Sequence, residues 1–397
     1  MRHLHRSSRL LAVLAIVIGF CAVSSAQHYV VTNDDNDSAN TATIYRATGS
    51  PANPSLTQVR VVKTGGKGLG GGYFANVGVN VVSDSNGVCA YISNSGSSNI
   101  TGYNAKTNTV TGPFSGSSGD SSTSLGLALV LGGDYLYAAF TASNTIGTFK
   151  ISSGCQLTFV SDTSAIGSNG GALDGLKTHG NLLAVAYGDG SYQSFNITGG
   201  TPVSNNDRQI AAGDAFGDVP AGVDISSDGK WAVFGDATFA NDVEVAAITA
   251  SGLGPTTAYR NLGAGSNSNT VWFSPDDTLV YVSNTYSGQI TVENFDTSTG
   301  TLSLGCISNV LNKYDQQWEW NGVIQTAGTT GTGTVLWEAE FGTPSSNHQF
   351  STPGSIGIVE VSRSGSSCTL TEAASSPITD SNSNGLLSIA AFPPRKF

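Results

Sequence analysis

Two segments near the C-terminal end combine aromatic rings, carboxylates and a histidine. They are NKYDQQWEW, residues 312–320, and EFGTPSSNHQFSTPG, residues 340–354. The candidate binding residues are Tyr314, Trp318, Glu319 and Trp320, and the candidate catalytic residues are Asp315, Glu340 and His348. Aromatic faces stack on the C–H surface of sugars while carboxylates accept hydrogen bonds from hydroxyls, and His348 has the chemistry of a general base. The segments predict a carbohydrate site; the alternative is that the tryptophans fill structural gaps and that 340–354 is a surface loop.

A repeated unit supplies the elements that would bring these two segments together. LVYVSNTYSGQITVENFDTSTGTL, residues 279–302, holds an apolar run, a polar turn, an alternating run and a Thr/Ser/Gly turn. Similar copies lie at 28–50, 89–112, 135–160, 182–203, 231–254 and, more loosely, 334–373. An apolar segment precedes most copies, as in SLGLALVLGGD and VPAGVDISSDGK. The spacing of roughly 46 to 61 residues is typical of the four-stranded blade of a β-propeller.

The two ends of the chain predict how such a ring closes. After the first 26 residues the chain starts at a second strand, 28–33, and it finishes with an inner strand, NGLLSIAAFPP at 384–394. The C-terminal strand would therefore complete the first blade and remove the open sheet edges. We predict an all-β, seven-bladed propeller of four-stranded blades over residues 27–397. A parallel β-helix or tandem sandwiches are the alternatives, and neither needs two complementary half-blades.

Strand motifs of the repeat carry a resemblance to a known family. YVSN at 281–284, YISN at 91–94 and YVVTN at 29–33 resemble the motif of YVTN-type propellers, and FSPDDTLVYVSN at 273–284 is similar to the lactonase group. That group includes bacterial phosphogluconolactonases, and the resemblance implies basic residues and histidine where loops lead into inner strands. The corresponding stretch here, 268–271, reads Ser-Asn-Thr-Val and has neither Arg nor His. Phosphorylated substrates are therefore disfavoured.

Two functions fit these observations. The first is a ligand- or protein-binding module that uses its loop-rich face, with a carbohydrate or protein as the ligand. The second is a sugar-lactone hydrolase, 6-phosphogluconolactonase-like with a degenerate or altered site. Histidine is sparse after residue 26, with His28, His179 and His348, and we expect His179 to lie at the surface on the opposite face. This favours the binding module and leaves open whether the protein is an enzyme.

Two further strings in the sequence were candidates for ligand binding. GGKGLGGG at 65–72 lacks the following helix that would hold a phosphate, so we interpret it as a flexible link between blades. NDDNDSAN at 33–40 lacks the Gly and terminal Glu of an EF-hand loop, so we interpret it as an acidic, solvated turn, with a loose calcium site as the alternative. We therefore predict no cofactor and no metal.

The N-terminal segment and the charge of the chain indicate its compartment and partners. Residues 1–26 contain three arginines, an apolar stretch from 10 to 23 and small residues before Gln27, as in a signal peptide. An uncleaved anchor is the alternative. Three of the 17 basic residues lie in this leader, which leaves 14 against 28 acidic ones. We expect a secreted or periplasmic monomer with no nucleic-acid partner and no membrane span after the leader.

Four cysteines remain after the leader: Cys89, Cys155, Cys306 and Cys368. An even number in an exported chain permits two disulfides, but four cysteines allow three pairings that sequence alone does not separate. Pairing 89 with 155 and 306 with 368 would join neighbouring blades, and we take this as a hypothesis.

Overall fold

The computed structural model describes residues 29–50, 53–70, 80–122, 127–210, 220–236, 242–263, 268–284, 287–309, 321–330, 333–340, 353–385 and 388–392. The regular elements of these residues are β-strands and one short 3₁₀ turn, Ser95–Ser97. The strands are numbered β1 to β30 in chain order and form seven antiparallel sheets, which we call blades 1 to 7.

The first half of the chain provides blades 1 to 4. Blade 1 contains β1 (Tyr29–Asn33), β2 (Thr41–Ser50) and β3 (Asn53–Lys63). Blade 2 contains β4 (Val81–Ser83), β5 (Cys89–Asn94), β6 (Asn99–Asn104) and β7 (Thr109–Ser115). Blade 3 contains β8 (Leu127–Gly132), β9 (Tyr135–Phe140), β10 (Thr145–Ser152) and β11 (Gln156–Ser164). Blade 4 contains β12 (Leu173–His179), β13 (Leu182–Tyr187), β14 (Ser191–Asn196), β15 (Val203–Ser204) and β16 (Gln209–Ile210).

The second half provides blades 5 to 7 and one further strand. Blade 5 contains β17 (Pro220–Ile225), β18 (Trp231–Asp236), β19 (Asp242–Thr249) and β20 (Gly252–Asn261). Blade 6 contains β21 (Ser268–Phe273), β22 (Leu279–Asn284), β23 (Gln289–Asp296) and β24 (Thr301–Ile307). Blade 7 contains β25 (Asn321–Thr330), β26 (Gly333–Glu340), β27 (Ser355–Ser364), β28 (Ser367–Glu372) and β29 (Ile378–Thr379). The last strand is β30 (Ser388–Phe392).

Strand β30 closes the ring by becoming the inner strand of blade 1. It pairs with β1 along the full length of both strands, from Tyr29 opposite Phe392 to Asn33 opposite Ser388. The inner strands of successive blades touch one another around the circle, and the last contact joins β25 to β30. The predicted seven-bladed propeller and its closure by the C-terminal strand are both confirmed. We call the contact of blade 7 with blade 1 and β30 the seam.

The hydrophobic core is divided into seven clusters, one between each pair of neighbouring blades. Tyrosines of the second strands fill several of these gaps, including Tyr91, Tyr137, Tyr187 and Tyr281, all fully buried. Burying each large apolar side chain contributes roughly 1.5–3 kcal/mol, so the stability comes from many face-to-face contacts between blades. In the outer strand β11, exposed residues alternate with less exposed ones, because one face of the strand meets a neighbour.

Asparagine at the end of the repeated strand motif has a structural role. Asn94 Nδ2 donates to Thr101 Oγ1 at 2.9 Å, and Asn284 Nδ2 donates to Thr291 Oγ1 at 2.8 Å. Each bond joins the end of a second strand to the third strand seven residues later. The motif therefore fixes the turn between these strands, and its presence does not by itself indicate an activity.

The propeller has an upper and a lower face. The upper face carries the loops that lead into the inner strands and the turns between second and third strands. The lower face carries the other turns, and polar contacts connect them between blades: His179 Nε2 lies 3.0 Å from the Ser227 carbonyl oxygen, and Ser227 N donates to Asp277 Oδ2 at 2.8 Å. His179 thus lies at the lower face, as expected.

Two disulfides join neighbouring blades in the way that the cysteine hypothesis stated. Cys89 is bonded to Cys155 between blades 2 and 3, and Cys306 is bonded to Cys368 between blades 6 and 7. Each closes a loop of more than 60 residues in the chain. Such loops restrict the unfolded chain, which favours the folded state.

Replacing Cys306 and Cys368 by alanine is expected to lower the free energy of unfolding by about 4 kcal/mol, the entropic value for a loop of this length. The midpoint of guanidinium unfolding checks this. The Cys89→Ala/Cys155→Ala variant serves as the comparison and should lose a similar amount. An unchanged midpoint in both variants would contradict the stabilising role.

Two turns that looked mobile or solvated in the sequence are packed against each other. Asp34 and Asp35 are fully buried, so the interpretation of 33–40 as a solvated turn is wrong for these two residues. Gly68 N donates to the Asn36 carbonyl at 2.6 Å, and Gly70 N donates to the Asp35 carbonyl at 2.9 Å. A Cβ on Gly68 would lie 2.2 Å from the Asp35 backbone, so glycine is required there. The segment 65–70 is therefore a fixed link, not a flexible one.

The predicted leader, 1–26, lies outside the residues that the structure describes and stays a prediction. Among the residues that are described, no helix has the length and apolar character needed to cross a membrane.

Candidate functional site

Of the seven residues that the sequence analysis assigned to a site, Glu340 is the one whose position is described. It is the last residue of β26, at the upper end of blade 7, and it is fully buried. Ser355 Oγ donates a hydrogen bond to its Oε2. The other six, Tyr314, Asp315, Trp318, Glu319, Trp320 and His348, lie outside the described residues. Their grouping around one ligand stays a prediction.

Glu338 adds a second buried carboxylate on the same side of β26. Ser283 of blade 6 lies 3.5 Å from its Oε1, so this side of the strand faces blade 6. A Cβ on Gly357 would lie 2.7 Å from Glu340 Oε1, so a side chain at this position would displace the Glu340 carboxylate. Glu338 and Glu340 therefore form an acidic pair at the upper end of the contact between blades 6 and 7.

Asp174 is a functional candidate that the sequence analysis missed. It lies at the upper end of β12, an inner strand, where Leu173 pairs with Tyr187 but Gly175 already pairs with Ala186. Asp174 is thus the extra residue of a β-bulge. It is buried, and within the described part of the chain neither of its carboxylate oxygens has a hydrogen-bond partner. Burial raises the pKa of this carboxyl well above its ordinary value, because the charged form is poorly solvated there.

The same irregularity recurs in the inner strands of neighbouring blades. The pairing shifts between Pro220 and Gly222 in β17, and between Ser268 and Thr270 in β21. Bulges are common beside functional sites because they redirect one side chain out of the ladder. Blade 4 places an acid at this position, whereas blades 5 and 6 have Ala221 and Asn269. In the sequence, the feature that could have indicated Asp174 is a single acid within the apolar segment ALDGL, residues 172–176.

The loop that leads to Asp174 is held by a second acid, Asp189. Its carboxylate accepts hydrogen bonds from the backbone N–H groups of Asn169 at 2.7 Å, Gly171 at 3.1 Å and Ser191 at 3.1 Å, and from Ser191 Oγ at 2.5 Å. Burial works against the charge, but these bonds outweigh it and lower the pKa of Asp189. Asp189 therefore remains ionised and fixes the backbone before β12.

Nearer the lower end of the same inner strands, the side chains form a cross-blade ion pair. Lys177 Nζ lies 2.6 Å from Asp224 Oδ1 and 4.7 Å from the centre of the Trp272 ring. Phe273 N donates to the other carboxylate oxygen of Asp224 at 2.7 Å. Blades 4, 5 and 6 are thus connected around one buried carboxylate. Because Lys177 is engaged by Asp224, its charge is largely compensated at this level of the channel.

Over the described ranges, His, Cys, Asp and Glu do not form a group of three or more that could hold a metal ion.

Neither family models nor curated protein sequences match this chain. Solved structures do. A candidate 6-phosphogluconolactonase from Bacteroides fragilis is 13% identical with a TM-score of 0.67, over 93% of this chain and 99% of that one. The periplasmic gluconolactonase of Pseudomonas aeruginosa is 14% identical with a TM-score of 0.60, over 92% and 99%. A protein of unknown function from Desulfotomaculum acetoxidans is 12% identical with a TM-score of 0.60, over 91% and 99%.

The fold defines the class of the protein as a seven-bladed β-propeller. Within that class it has the fold of the lactonase-like propellers, to which two of the similar structures belong by name. At sequence identities of 12–14%, the similarity to these solved structures shows the fold alone. The resemblance seen in the strand motifs is confirmed at that level.

Proposed function

We propose that this protein hydrolyses an uncharged sugar lactone at the upper end of its central channel, with Asp174 as the general base. The observation that carries the proposal is the buried carboxylate of Asp174 in the bulge of an inner strand. A base is most effective when its pKa lies near the working pH, and burial raises the pKa of Asp174 well above its ordinary acidic value.

The chemistry requires a water molecule between the base and the substrate. Ionised Asp174 takes a proton from this water while the water oxygen attacks the lactone carbonyl carbon. The tetrahedral intermediate then collapses, the ring C–O bond breaks, and the proton on Asp174 passes to the departing ring oxygen. The product is a hydroxy acid, and the base returns to its starting state. Since Asp174 is only 2% exposed, a water reaches it more easily than a sugar atom does.

Charge supports an uncharged substrate. Among the described residues in and beside strand β12, Lys177 is paired with Asp224, whereas Asp174 and Asp189 are acidic. A phosphorylated lactone would be repelled here. The names of two similar structures, a candidate phosphogluconolactonase and a gluconolactonase, support lactones as the substrate class. The proposal includes export and a monomer, with which the predicted leader and the two disulfides agree.

The test is a rate measurement on a panel of aldonolactones, with and without a 6-phosphate. The parent is expected to open the uncharged lactones faster. Asp174→Asn should lose about 10²- to 10⁴-fold in kcat, the usual contribution of a general base. The rate of the parent should rise with pH through a pKa above the ordinary Asp value, and this limb should be absent in the variant.

Two further variants make the result specific. Asp228→Asn, a change of a half-exposed acid on the lower face, should leave the rate unchanged. His348→Ala tests the base that the sequence analysis favoured. Loss of activity in His348→Ala with full activity in Asp174→Asn would reject Asp174. If the parent binds lactones, as seen by calorimetry, but opens none, the protein is the binding module.

A further inference from the structure

Two buried carboxylates meet at the seam. Asp34 follows β1 of blade 1, and Asp380 follows β29 of blade 7, immediately before the loop that leads to β30. Both are fully buried. The Thr32 hydroxyl lies between them, with Oγ1 2.5 Å from Asp34 Oδ1 and 3.2 Å from Asp380 Oδ2. We call Asp34, Thr32 and Asp380 the latch.

The hydrogen bonds of the latch are complete only with one additional proton. Thr32 Oγ1 has one hydrogen to donate, and Asp34 Oδ1 is its closest acceptor. Thr32 Oγ1 itself accepts a hydrogen bond from Thr43 N at 3.0 Å. This leaves one of its lone pairs free toward Asp380 Oδ2. If Asp380 carries a proton on Oδ2, it donates to Thr32, and Thr32 donates to Asp34. The hydrogen and both lone pairs of Thr32 Oγ1 then take part in hydrogen bonds.

The donors around each acid show which of them is ionised. Asp34 accepts from three hydroxyls, because Thr41 and Thr43 donate to its Oδ2 at 2.7 and 2.9 Å. Asp380 accepts on Oδ1 from Asn382 N at 3.1 Å, and its Oδ2 faces Thr32. Burial raises the pKa of Asp380 to about 7, and the charge of Asp34 adds to the shift. Burial also raises the pKa of Asp34, but the hydroxyls of Thr32, Thr41 and Thr43 oppose that shift. Asp34 is thus the ionised member and Asp380 the protonated one.

The surrounding elements bring little opposing charge to the latch. From β2, the Tyr45 hydroxyl lies close to both acids and faces Asp380 as a further hydrogen-bond donor. Burial raises the pKa of this hydroxyl, and the charges of Asp380 and Asp34 add to the shift. The facing residues of blade 7, 355–359 in β27 and 378–379 in β29, are uncharged. Glu340 of β26 is bonded to Ser355. None of the groups that act most strongly on Asp34 or Asp380 is a cation.

We propose that the latch is a proton-dependent lock on the closure of the ring, which holds the seam in mildly acidic medium and loosens as the medium becomes alkaline. Removing the proton would place two negative charges on either side of one hydroxyl, in a fully buried site where no cation is among the groups that act most strongly on them. This inference does not depend on the proposed lactone chemistry.

Hydrogen bonds connect the latch to the segment before β30 and to blade 7. Asn384 N donates to the Asp34 carbonyl at 2.9 Å, and Asn36 Nδ2 donates to the Asn382 carbonyl at 2.8 Å. Asp380 N donates to the Gly354 carbonyl at 2.8 Å. Repulsion between the two acids would therefore strain the segment before β30 and its attachment to blade 7.

The direction of the pH effect follows from proton counting. Between about pH 4 and pH 7 the folded protein holds the proton of Asp380, whereas the unfolded chain has lost it. The stabilisation is complete below about pH 4 and disappears as the pH rises through 7. Asp380→Asn keeps a hydrogen-bond donor toward Thr32 but has no titrating carboxyl, so this variant should keep the stabilisation as the pH rises.

The test compares melting temperatures of the parent and Asp380→Asn from pH 4.5 to 9. The variant should have the flatter profile and should exceed the parent by at least about 2 °C at pH 8. Asp37→Asn, an exposed acid of the same turn, should follow the parent's profile. Parallel curves for the parent and Asp380→Asn would overturn the proposal.

A measurement on the parent alone covers the case in which the variant does not fold. Hydrogen exchange of the Asn384 amide, corrected for its intrinsic pH dependence, should become faster between pH 6 and 8. Infrared spectroscopy should show a protonated carboxyl at pH 5.5 that titrates over the same range. Constant protection together with no such carboxyl would also reject the latch.

Discussion

A chain that ends at Gly385 is expected to lose the ring and to aggregate. Without β30, all five residues of β1 lose their partners on one side, and β1 keeps only its pairing with β2. Ile389 leaves the cluster between blades 7 and 1, and Ala390 leaves the cluster between blades 1 and 2. Ser83 also loses its bond to the Ala391 carbonyl, at 2.5 Å. An open sheet edge at a buried position is a template for aggregation.

Size-exclusion chromatography with light scattering, together with thermal melting, checks this result. The matched control is a chain that lacks only residues 395–397, which keeps β30 and should melt like the parent. A synthetic peptide of residues 384–394 should partly restore the monomer when added during refolding, because it can occupy the empty position beside β1. A shortened chain that stays monomeric with the parent's melting temperature would refute closure by β30.

Replacing Lys177 by methionine is expected to destabilise the protein by about 3–5 kcal/mol, because it leaves a buried carboxylate without its counter-charge. Asp224 is fully buried and Lys177 is 13% exposed. Methionine keeps the apolar stem of the side chain, so the loss measures charge more than packing. The change should appear as a lower midpoint of urea unfolding with an unchanged slope.

A second variant separates the charge from other effects. Lys177→Met combined with Asp224→Asn removes both charges and keeps an acceptor for Phe273 N, so it should recover much of the lost stability. The exposed pair Lys230–Asp228, 2.8 Å apart, provides the contrast: Lys230→Met should change stability by less than about 1 kcal/mol. Equal losses in the single and the double variant would show that charge burial is not the cause.

The ring was predictable from the sequence because its determinants are local and repeated. Alternation with a period of two marks each half-buried strand, and the asparagine of motifs such as YISN stands where a turn follows. The half-blades at the two ends of the propeller then left one way to complete the circle. The sequence left three cysteine pairings open, and the hypothesis that each disulfide joins neighbouring blades is confirmed.

The candidate site was much less predictable, since it depends on contacts between blades. The sequence of Asp34 and Asp35 looks like a solvated turn, but blade 7 and the link 65–70 cover it. Asp174 looks like an interruption of an apolar strand, and only the shifted pairing opposite Ala186 shows it as a bulge. The aromatic segment 312–320 remains a prediction, because its residues lie outside those that are described.

The pairing of β1 with β30 also decides how the molecule would be presented by a tether. Tyr29 lies opposite Phe392, and both are at the lower face, since Asn33 and Ser388 mark the other end of the pair. An anchor or fusion partner attached at either end would therefore hold the propeller from below. The upper face, at which strand β12 begins with Asp174 near its start, would then point away from the supporting surface.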